Sequence, residues 1–228
     1  MNEKNIVIFG SKPDSIFPNI IPNLVYSANG SASLARNFIK TTNPEAELIS
    51  VVSTAAALKK DECKKILNAK PTMIYLRSHK IDCSDLKSSI IFDKFPNEKI
   101  REFSGKKQFL LDRKYFNLNA YYTYFIRGSL FKTVFILLKH ILKKHYSFAT
   151  STGLWTLINA LENHPDSKIF LIGIGLRAGG HFDDENHKFK ETTAKKDFFL
   201  IQKLPSQDKR RIFTTDQYFA SISGVNLI

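Results

Sequence analysis

Short apolar stretches alternate with helix-like segments along most of this 228-residue chain. The apolar stretches are rich in aliphatic and β-branched residues, as buried strands are, and they lie at residues 6–9, 24–27, 48–53, 73–76, 168–172 and 211–214. Segments with helical spacing of apolar residues lie between several of them, at residues 31–40, 54–68, 152–163 and 192–204. Parallel strands need long connections, which helices usually supply. The alternation therefore predicts an α/β fold with a mainly parallel, Rossmann-like sheet flanked by helices.

Length and composition fit a single domain spanning residues 1–228. Hydrophobic residues make up 43% of the chain, which is enough to build one full core. No stretch reaches the roughly 20 apolar residues that span a bilayer, and the N-terminus leads into the first predicted strand rather than into a signal peptide. Cys63 and Cys83 lie far apart without metal-ligand spacing. We expect a cytoplasmic protein whose cysteines are reduced and structural.

The chain is strongly basic, with a formal net charge of +13. Between residues 101 and 145, ten lysines and arginines stand against two acidic residues, Glu102 and Asp112. Partners that would explain such a charge are nucleic acid, an anionic membrane surface or a phosphorylated substrate.

The sequence pattern in much of this basic region predicts an amphipathic helical segment at about residues 121–146. It begins with aromatic residues and continues with apolar residues at i, i+3 and i+4 spacing, while Lys132, Lys139 and Lys143 share the opposite face. Such a segment is either a core helix with solvated lysines or a peripheral anchor on an anionic membrane. Both interpretations stay open.

Three loops carry the polar groups that suit an anionic ligand. Gly10 and Ser11 follow the first strand, in a turn that lacks both the dinucleotide fingerprint and the P-loop pattern. Asn29 follows the second strand and offers an amide. The run Ser151, Thr152, Gly153 opens a helix, where backbone N–H groups and hydroxyls bind anions. We predict that these loops form one ligand cleft.

Two histidines, His181 and His187, follow the strand at residues 168–172 and could transfer a proton near neutral pH. The remaining histidines, at positions 79, 140, 145 and 164, lie in no such context. His181 and His187 are therefore the candidate catalytic groups.

Taken in their order along the chain, these loops and histidines resemble sequence motifs of the animal and bacterial sialyltransferase families. Gly10 and Pro13 match the G-N-x-P-S type turn, with Ser11 where asparagine is usual, and Asn29 matches the asparagine after the second strand. Residues 149–154 resemble the P-S-T-G sialylmotif, and residues 169–175, including Gly173, resemble the strand that ends it. Residues 181–184 and 187–191 resemble the H-Y-Y-E element and the very short histidine motif.

The resemblance implies a sialyltransferase-like variant of the GT-A fold and an inverting transfer from a CMP-sugar donor that needs no metal and no cofactor. It implies that His187 is the general base and that His181 binds or protonates the phosphate. It assigns Ser151, Thr152 and Gly153 to the CMP portion. The acidic pair at residues 183–184 lies beside the histidines and is not assigned a metal.

Two departures from the family pattern widen the choice of donor. The bacterial enzymes carry phosphate-binding tyrosines where this chain has residues 176–180, so Arg177 is the candidate phosphate contact here. The arginine before the T-S-G is also absent. The donor sugar is therefore sialic acid, Kdo or a related 2-keto sugar, and the acceptor is a glycan or glycolipid.

Two alternatives remain from other functional classes. A nucleic-acid-binding or modifying protein could use the basic segment with Tyr121, Tyr122 and Tyr124 as stacking groups. We favour it less, because the basic residues follow an amphipathic helical pattern and no known nucleic-acid module is visible. A non-catalytic sugar-nucleotide-binding protein is favoured by the missing phosphate tyrosines.

Overall fold

The computed structural model describes residues 4–12, 15–80, 83–126, 150–176 and 191–228. An eight-stranded sheet runs through it, and every neighbouring pair of strands is parallel. Its strands are β1 (Asn5–Phe9), β2 (Leu24–Ala28), β3 (Glu47–Ser53), β4 (Met73–Arg77), β5 (Ile100–Phe103), β6 (Lys168–Ile172), β7 (Ile212–Thr214) and β8 (Asn226–Leu227). The predicted α/β fold with a parallel sheet is confirmed.

Helices connect most of the strands. They are α1 (Ala32–Thr42), α2 (Thr54–Ala57), α3 (Lys60–Asn68), α4 (Ile91–Lys94), α5 (Gly105–Ile126), α6 (Thr152–Asn163), α7 (Glu191–Gln202), α8 (Ser206–Lys209) and α9 (Gln217–Ser223). Short 3₁₀ turns lie at Asn29–Ser31 and Asn97–Lys99. Among the helices that the structure describes, none is long and apolar enough to cross a membrane.

Helices cover both faces of the sheet, which explains why the inner strands are apolar throughout. Along β1, Val7 and Phe9 pack on the layer formed by α1, α3 and α4. Ile6 and Ile8 face the other layer, whose largest buried side chain is Trp155 of α6. The free cysteines Cys63 and Cys83 are buried, as expected for structural thiols.

The strand order places the reversal of the chain between β1 and β6. The sheet reads β5-β4-β3-β2-β1-β6-β7-β8, so β2 to β5 extend one side of β1 and β6 to β8 extend the other. In open α/β sheets, ligands bind outside the carboxyl ends of the strands at such a switch point. The loops after β1, β2 and β6 are therefore the candidate ligand-binding region of the fold.

The structure corrects several sequence-based boundaries. The predicted helix at residues 54–68 is two helices, because Lys59 adopts extended backbone between α2 and α3. Strands β5 and β8 were not predicted. Helix α5 begins at Gly105, ahead of the predicted segment at 121–146, and residues 127–149 of that segment lie outside the described residues.

Candidate functional site

Two glycines let the loops after β1 and β6 run in contact. The amide of Gly10 donates to the carbonyl of Ile172 (2.7 Å), and the amide of Lys12 donates to that of Gly173 (2.9 Å). A Cβ atom on Gly10 would lie only 2.2 Å from the carbonyl oxygen of Gly173. Gly173 has φ +67°, a conformation that glycine adopts without steric cost. Both glycines are therefore required by the close approach of the two strand ends.

The side chain of Asn29 joins three elements at the carboxyl edge of the sheet. Its Oδ1 accepts a hydrogen bond from the amide of Ser53 (2.9 Å), and its Nδ2 donates to Oγ1 of Thr152 (3.2 Å). Its backbone is left-handed, with φ 51°, and asparagine tolerates this conformation better than most residues do. Asn29 thus fixes the loop after β2 to the end of β3 and to the first residue of α6.

Ser31 holds the same loop to β1. Its hydroxyl donates to the carbonyl of Phe9 (2.9 Å) and accepts from the amide of Ala28 (2.9 Å). Together, the contacts of Ser31 and Asn29 bring the ends of β1 and β2 and the start of α6 side by side. The predicted convergence of these three loops is observed.

The start of α6 is capped by the side chain of Ser151. The hydroxyl of Ser151 accepts from the amide of Leu154 (3.2 Å), and the amide of Ser151 donates to the buried carboxylate of Asp197 (3.1 Å). The amides of Thr152 and Gly153 occupy the first turn, where helix geometry provides no acceptor within the helix. These N–H groups and the positive end of the helix dipole form a potential anion site.

A buried arginine fixes the chain just before this turn. Arg77, at the end of β4, donates from Nη2 to the carbonyl of Thr150 (3.1 Å) and from Nε to Gln108 Oε1 (3.0 Å). Its guanidinium lies over the ring of Trp155, 4.8 Å from the centroid. Arg77 is only 3% exposed, so it acts as a structural support for the start of α6.

An ion pair borders the switch point on the β7 side. Lys12 Nζ lies 2.5 Å from Oδ2 of Asp216, the N-cap residue of α9. Burial raises the pKa of Asp216, but hydrogen bonds from Lys12 and from the amide of Phe219 outweigh burial, and the pKa is lowered overall. The carboxylate of Asp216 therefore stays ionised and paired at neutral pH.

The structure brings together most of the site residues predicted from sequence. Gly10, Ser11, Asn29, Ser151, Thr152, Gly153 and Gly173 lie at the carboxyl edge of the sheet around the switch point. Pro13, Arg177, His181 and His187 lie outside the described residues. The roles of both groups in binding and catalysis stay predictions. Across the described ranges, no three His, Cys, Asp or Glu side chains gather as metal ligands would.

Sequence reasoning missed Lys12, Arg77, Asp197 and Asp216 at this edge. A signal existed for Lys12, which lies three residues after the predicted strand at 6–9, and for Asp216, which lies two residues after the predicted strand at 211–214. Arg77 carried the same signal, since it directly follows the predicted strand at 73–76, whereas Asp197 lies within a predicted helix and its partner Ser151 is distant in sequence.

Comparison with known proteins gives a structural likeness without a sequence match. The sequence matches no protein-family model and no curated protein. The structure is similar to the sialyltransferase CstII from Campylobacter jejuni in complex with the substrate analogue CMP-3FNeuAc, with a TM-score of 0.52 and 12% identity. That alignment covers 99% of this chain and 86% of the other.

A second structure of CstII, in complex with cytidine-5'-monophosphate, aligns with a TM-score of 0.48 and 14% identity over 98% of this chain and 84% of the other. The first alignment shows that this chain shares the fold of that sialyltransferase.

Proposed function

We propose that the protein is an inverting glycosyltransferase that needs no metal ion. It moves a sialic acid, Kdo or related 2-keto sugar from a CMP-linked donor to a hydroxyl of a glycan or glycolipid. The observation that carries the proposal is the hydrogen bond between Asn29 and Thr152, which joins the loop after β2 to the start of α6 beside the switch point. The fold of a sialyltransferase solved with a CMP-sugar analogue supports it.

In this proposal the phosphate of CMP lies at the first turn of α6. The amides of Thr152 and Gly153, with the hydroxyls of Ser151 and Thr152, donate to its oxygens. Hydrogen bonds to a charged acceptor are stronger than neutral ones, and they gain strength as negative charge develops on the departing phosphate. The helix start would thus stabilise the leaving group.

The chemical step is a single displacement at the anomeric carbon. The acceptor hydroxyl attacks on the face opposite the phosphate, the bond from the sugar carbon to the phosphate oxygen breaks, and CMP leaves with that electron pair. His187 takes the hydroxyl proton as the new bond forms, while His181 and Arg177 stabilise the phosphate. Attack from the opposite face inverts the configuration.

CMP is expected to bind without divalent metal, and the double variant Thr152→Ala with Gly153→Val is expected to bind it at least tenfold more weakly. Loss of the hydroxyl removes a hydrogen bond to a charged group, which contributes about 1.5–3 kcal/mol, and about 1.4 kcal/mol corresponds to a tenfold change in affinity. The valine obstructs close approach of the phosphate to the backbone. Titration calorimetry in EDTA measures the affinity.

The single variant Gly153→Ala tests the approach to the backbone separately, because it keeps the hydroxyl of Thr152. A methyl group there meets the side chain of Ile174 at an ordinary 3.5 Å, so the fold is kept and any loss of affinity reports obstruction of the phosphate. Unchanged affinity in the double variant, or a requirement for magnesium, would rule out this site.

We further propose that the protein contacts the anionic inner face of a membrane through the predicted segment at about 121–146. Helix α5, which leads into that segment, exposes Lys106, Lys107 and Arg113 on the same side as Leu110, which is 54% exposed. A basic helix face with an exposed apolar residue suits an anionic bilayer, where each nearby cation contributes about 1 kcal/mol.

The protein is therefore expected to float with liposomes that contain phosphatidylglycerol and not with pure phosphatidylcholine. Charge reversal at Lys106, Lys107 and Arg113 should reduce the bound fraction about tenfold or more, since three cations near the lipid contribute about 1 kcal/mol each. Charge reversal at the exposed Lys59, Lys60 and Lys64 of the α3 region is the matched control. Equal recovery in the soluble fraction with both lipids would disprove membrane contact.

A further inference from the structure

Lys12 is a cation at the switch point that the nucleotide portion of the proposed donor does not use. A CMP-linked 2-keto sugar carries two anionic groups, the phosphate and the sugar carboxylate. We propose that Lys12, oriented by Asp216, is the subsite for the sugar carboxylate and selects donors that carry one. This inference rests on the proposed function and names the residue that recognises its sugar.

The position of Lys12 relative to α6 follows from the loop after β6. The stem of Lys12 lies over Gly175, with its Cδ 3.0 Å from where a Cβ atom of Gly175 would be. The adjacent Ile174 lies against Gly153, in the first turn of α6, at 3.5 Å by the same measure. Lys12 and the proposed phosphate site therefore contact two consecutive residues of one loop.

Gly175 is part of this arrangement. A side chain at Gly175 would crowd the stem of Lys12, which would have to shift by a few tenths of an ångström. The absence of a side chain at Gly175 thus leaves room for the stem of Lys12 in its observed position.

The pairing with Asp216 orients Lys12 without using all of its hydrogen-bonding capacity. The lysine side chain is 41% exposed and its partner 15% exposed, so the lysine is the more open member of the pair. An ammonium group has three donors. Within the described part of the chain, one of them is directed to Asp216. The other donors can serve a ligand carboxylate while the ion pair stays intact.

Asp216 is itself held firmly, because its Oδ1 accepts from the amide of Phe219 (2.9 Å) as the cap of α9. A fixed carboxylate holds the lysine in one orientation before the ligand arrives, and such preorganisation lowers the entropic cost of binding. The alternative explanation is that this ion pair has only a structural role and holds the loop after β1 against α9. The two explanations differ in what they predict for ligands with and without the carboxylate.

The test measures the affinities of CMP, CMP-sialic acid, CMP-Kdo and the C1 methyl ester of CMP-sialic acid by titration calorimetry. In Lys12→Met, which keeps the apolar stem, the better of the two acidic donors should bind at least tenfold more weakly. That factor corresponds to one charge-assisted hydrogen bond of about 1.4 kcal/mol. CMP and the methyl ester should bind to the variant within twofold of their wild-type affinities, and Lys12→Arg should restore discrimination.

These measurements distinguish a carboxylate subsite at Lys12 from a purely structural ion pair, and both from failure of the proposed function. An equal loss of affinity for CMP and the acidic donors in Lys12→Met, with a lower melting temperature, would show that the ion pair is only a structural tie. No loss for either donor would also overturn the subsite. If the wild-type protein binds none of the CMP compounds, the proposed function fails and the subsite with it. Lys64→Met, which removes a lysine paired with Asp61 at 3.7 Å outside the site, is the matched control.

Discussion

Gly10→Ala is expected to lower the free energy of unfolding by at least about 3 kcal/mol, the upper end of the usual cost of overpacking. The added methyl carbon would lie 2.2 Å from the backbone oxygen of Gly173 and 2.8 Å from the Ile174 side chain. The carbonyl of Gly173 accepts from the amide of Lys12, and the amide of Gly10 donates to the carbonyl of Ile172, so the two strand ends cannot separate without breaking these hydrogen bonds. Chemical denaturation followed by circular dichroism measures the loss, and soluble yield reports a variant that does not fold.

Gly153→Ala separates this effect from a general intolerance of alanine around the site. The methyl group there meets Ile174 at 3.5 Å, and alanine is favoured over glycine in a helix by about 1 kcal/mol. We expect this variant to be as stable as the wild type or slightly more so. If Gly10→Ala were equally stable, the contact between the two loops could not have the geometry described above.

His187→Ala is expected to reduce turnover by about 10²–10⁴-fold, the usual contribution of a general base, and to leave the affinity for CMP nearly intact. A sugar hydroxyl is a weak nucleophile unless its proton is accepted as the bond forms. An imidazole with an ordinary pKa near 6.5 suits that transfer at neutral pH. Steady-state kinetics with the donor identified by binding, together with calorimetry of CMP, measures both quantities.

His164→Gln is the matched control for the histidine. His164 follows the last residue of α6, a helix of 12 residues whose first turn forms the proposed phosphate site, and it bonds to the hydroxyl of Tyr26 at 3.0 Å. Its replacement should alter stability and leave turnover almost unchanged. A His187→Ala variant that loses CMP binding but keeps its turnover per bound donor would make His187 a binding residue, and His181 would become the candidate base.

The strands that were predicted from sequence are buried strands, and their residues form a continuous apolar run in the sequence. Residues 168–172 were predicted at the observed bounds of β6, because all but the first of them are buried. Strand β5 was missed because it lies at the sheet edge and exposes Arg101 and Glu102, so it shows no apolar run. Strand β8, with two exposed residues, gave no pattern at all.

The site residues that could be predicted are those whose role depends on the local backbone. The N-cap at Ser151 and the left-handed turn at Asn29 have signatures within a few residues. The supports of the site depend on tertiary contacts instead. Thr150 meets Arg77 and Lys12 meets Asp216 across long stretches of chain, and no local pattern identifies such pairs.

The strand order also governs how this chain must be assembled as it is synthesised. Strand β1 pairs with β6 through contacts such as that between Asn5 and Lys168, so one edge of β1 has no partner until most of the chain has left the ribosome. Contacts this distant in sequence form slowly, because loop closure must precede them. Until then the apolar stretch Ile6 to Phe9 is an open edge of the kind that recruits other chains. The placement of β6 beside β1 therefore leaves one edge of an apolar strand without its partner until residue 168 has been synthesised.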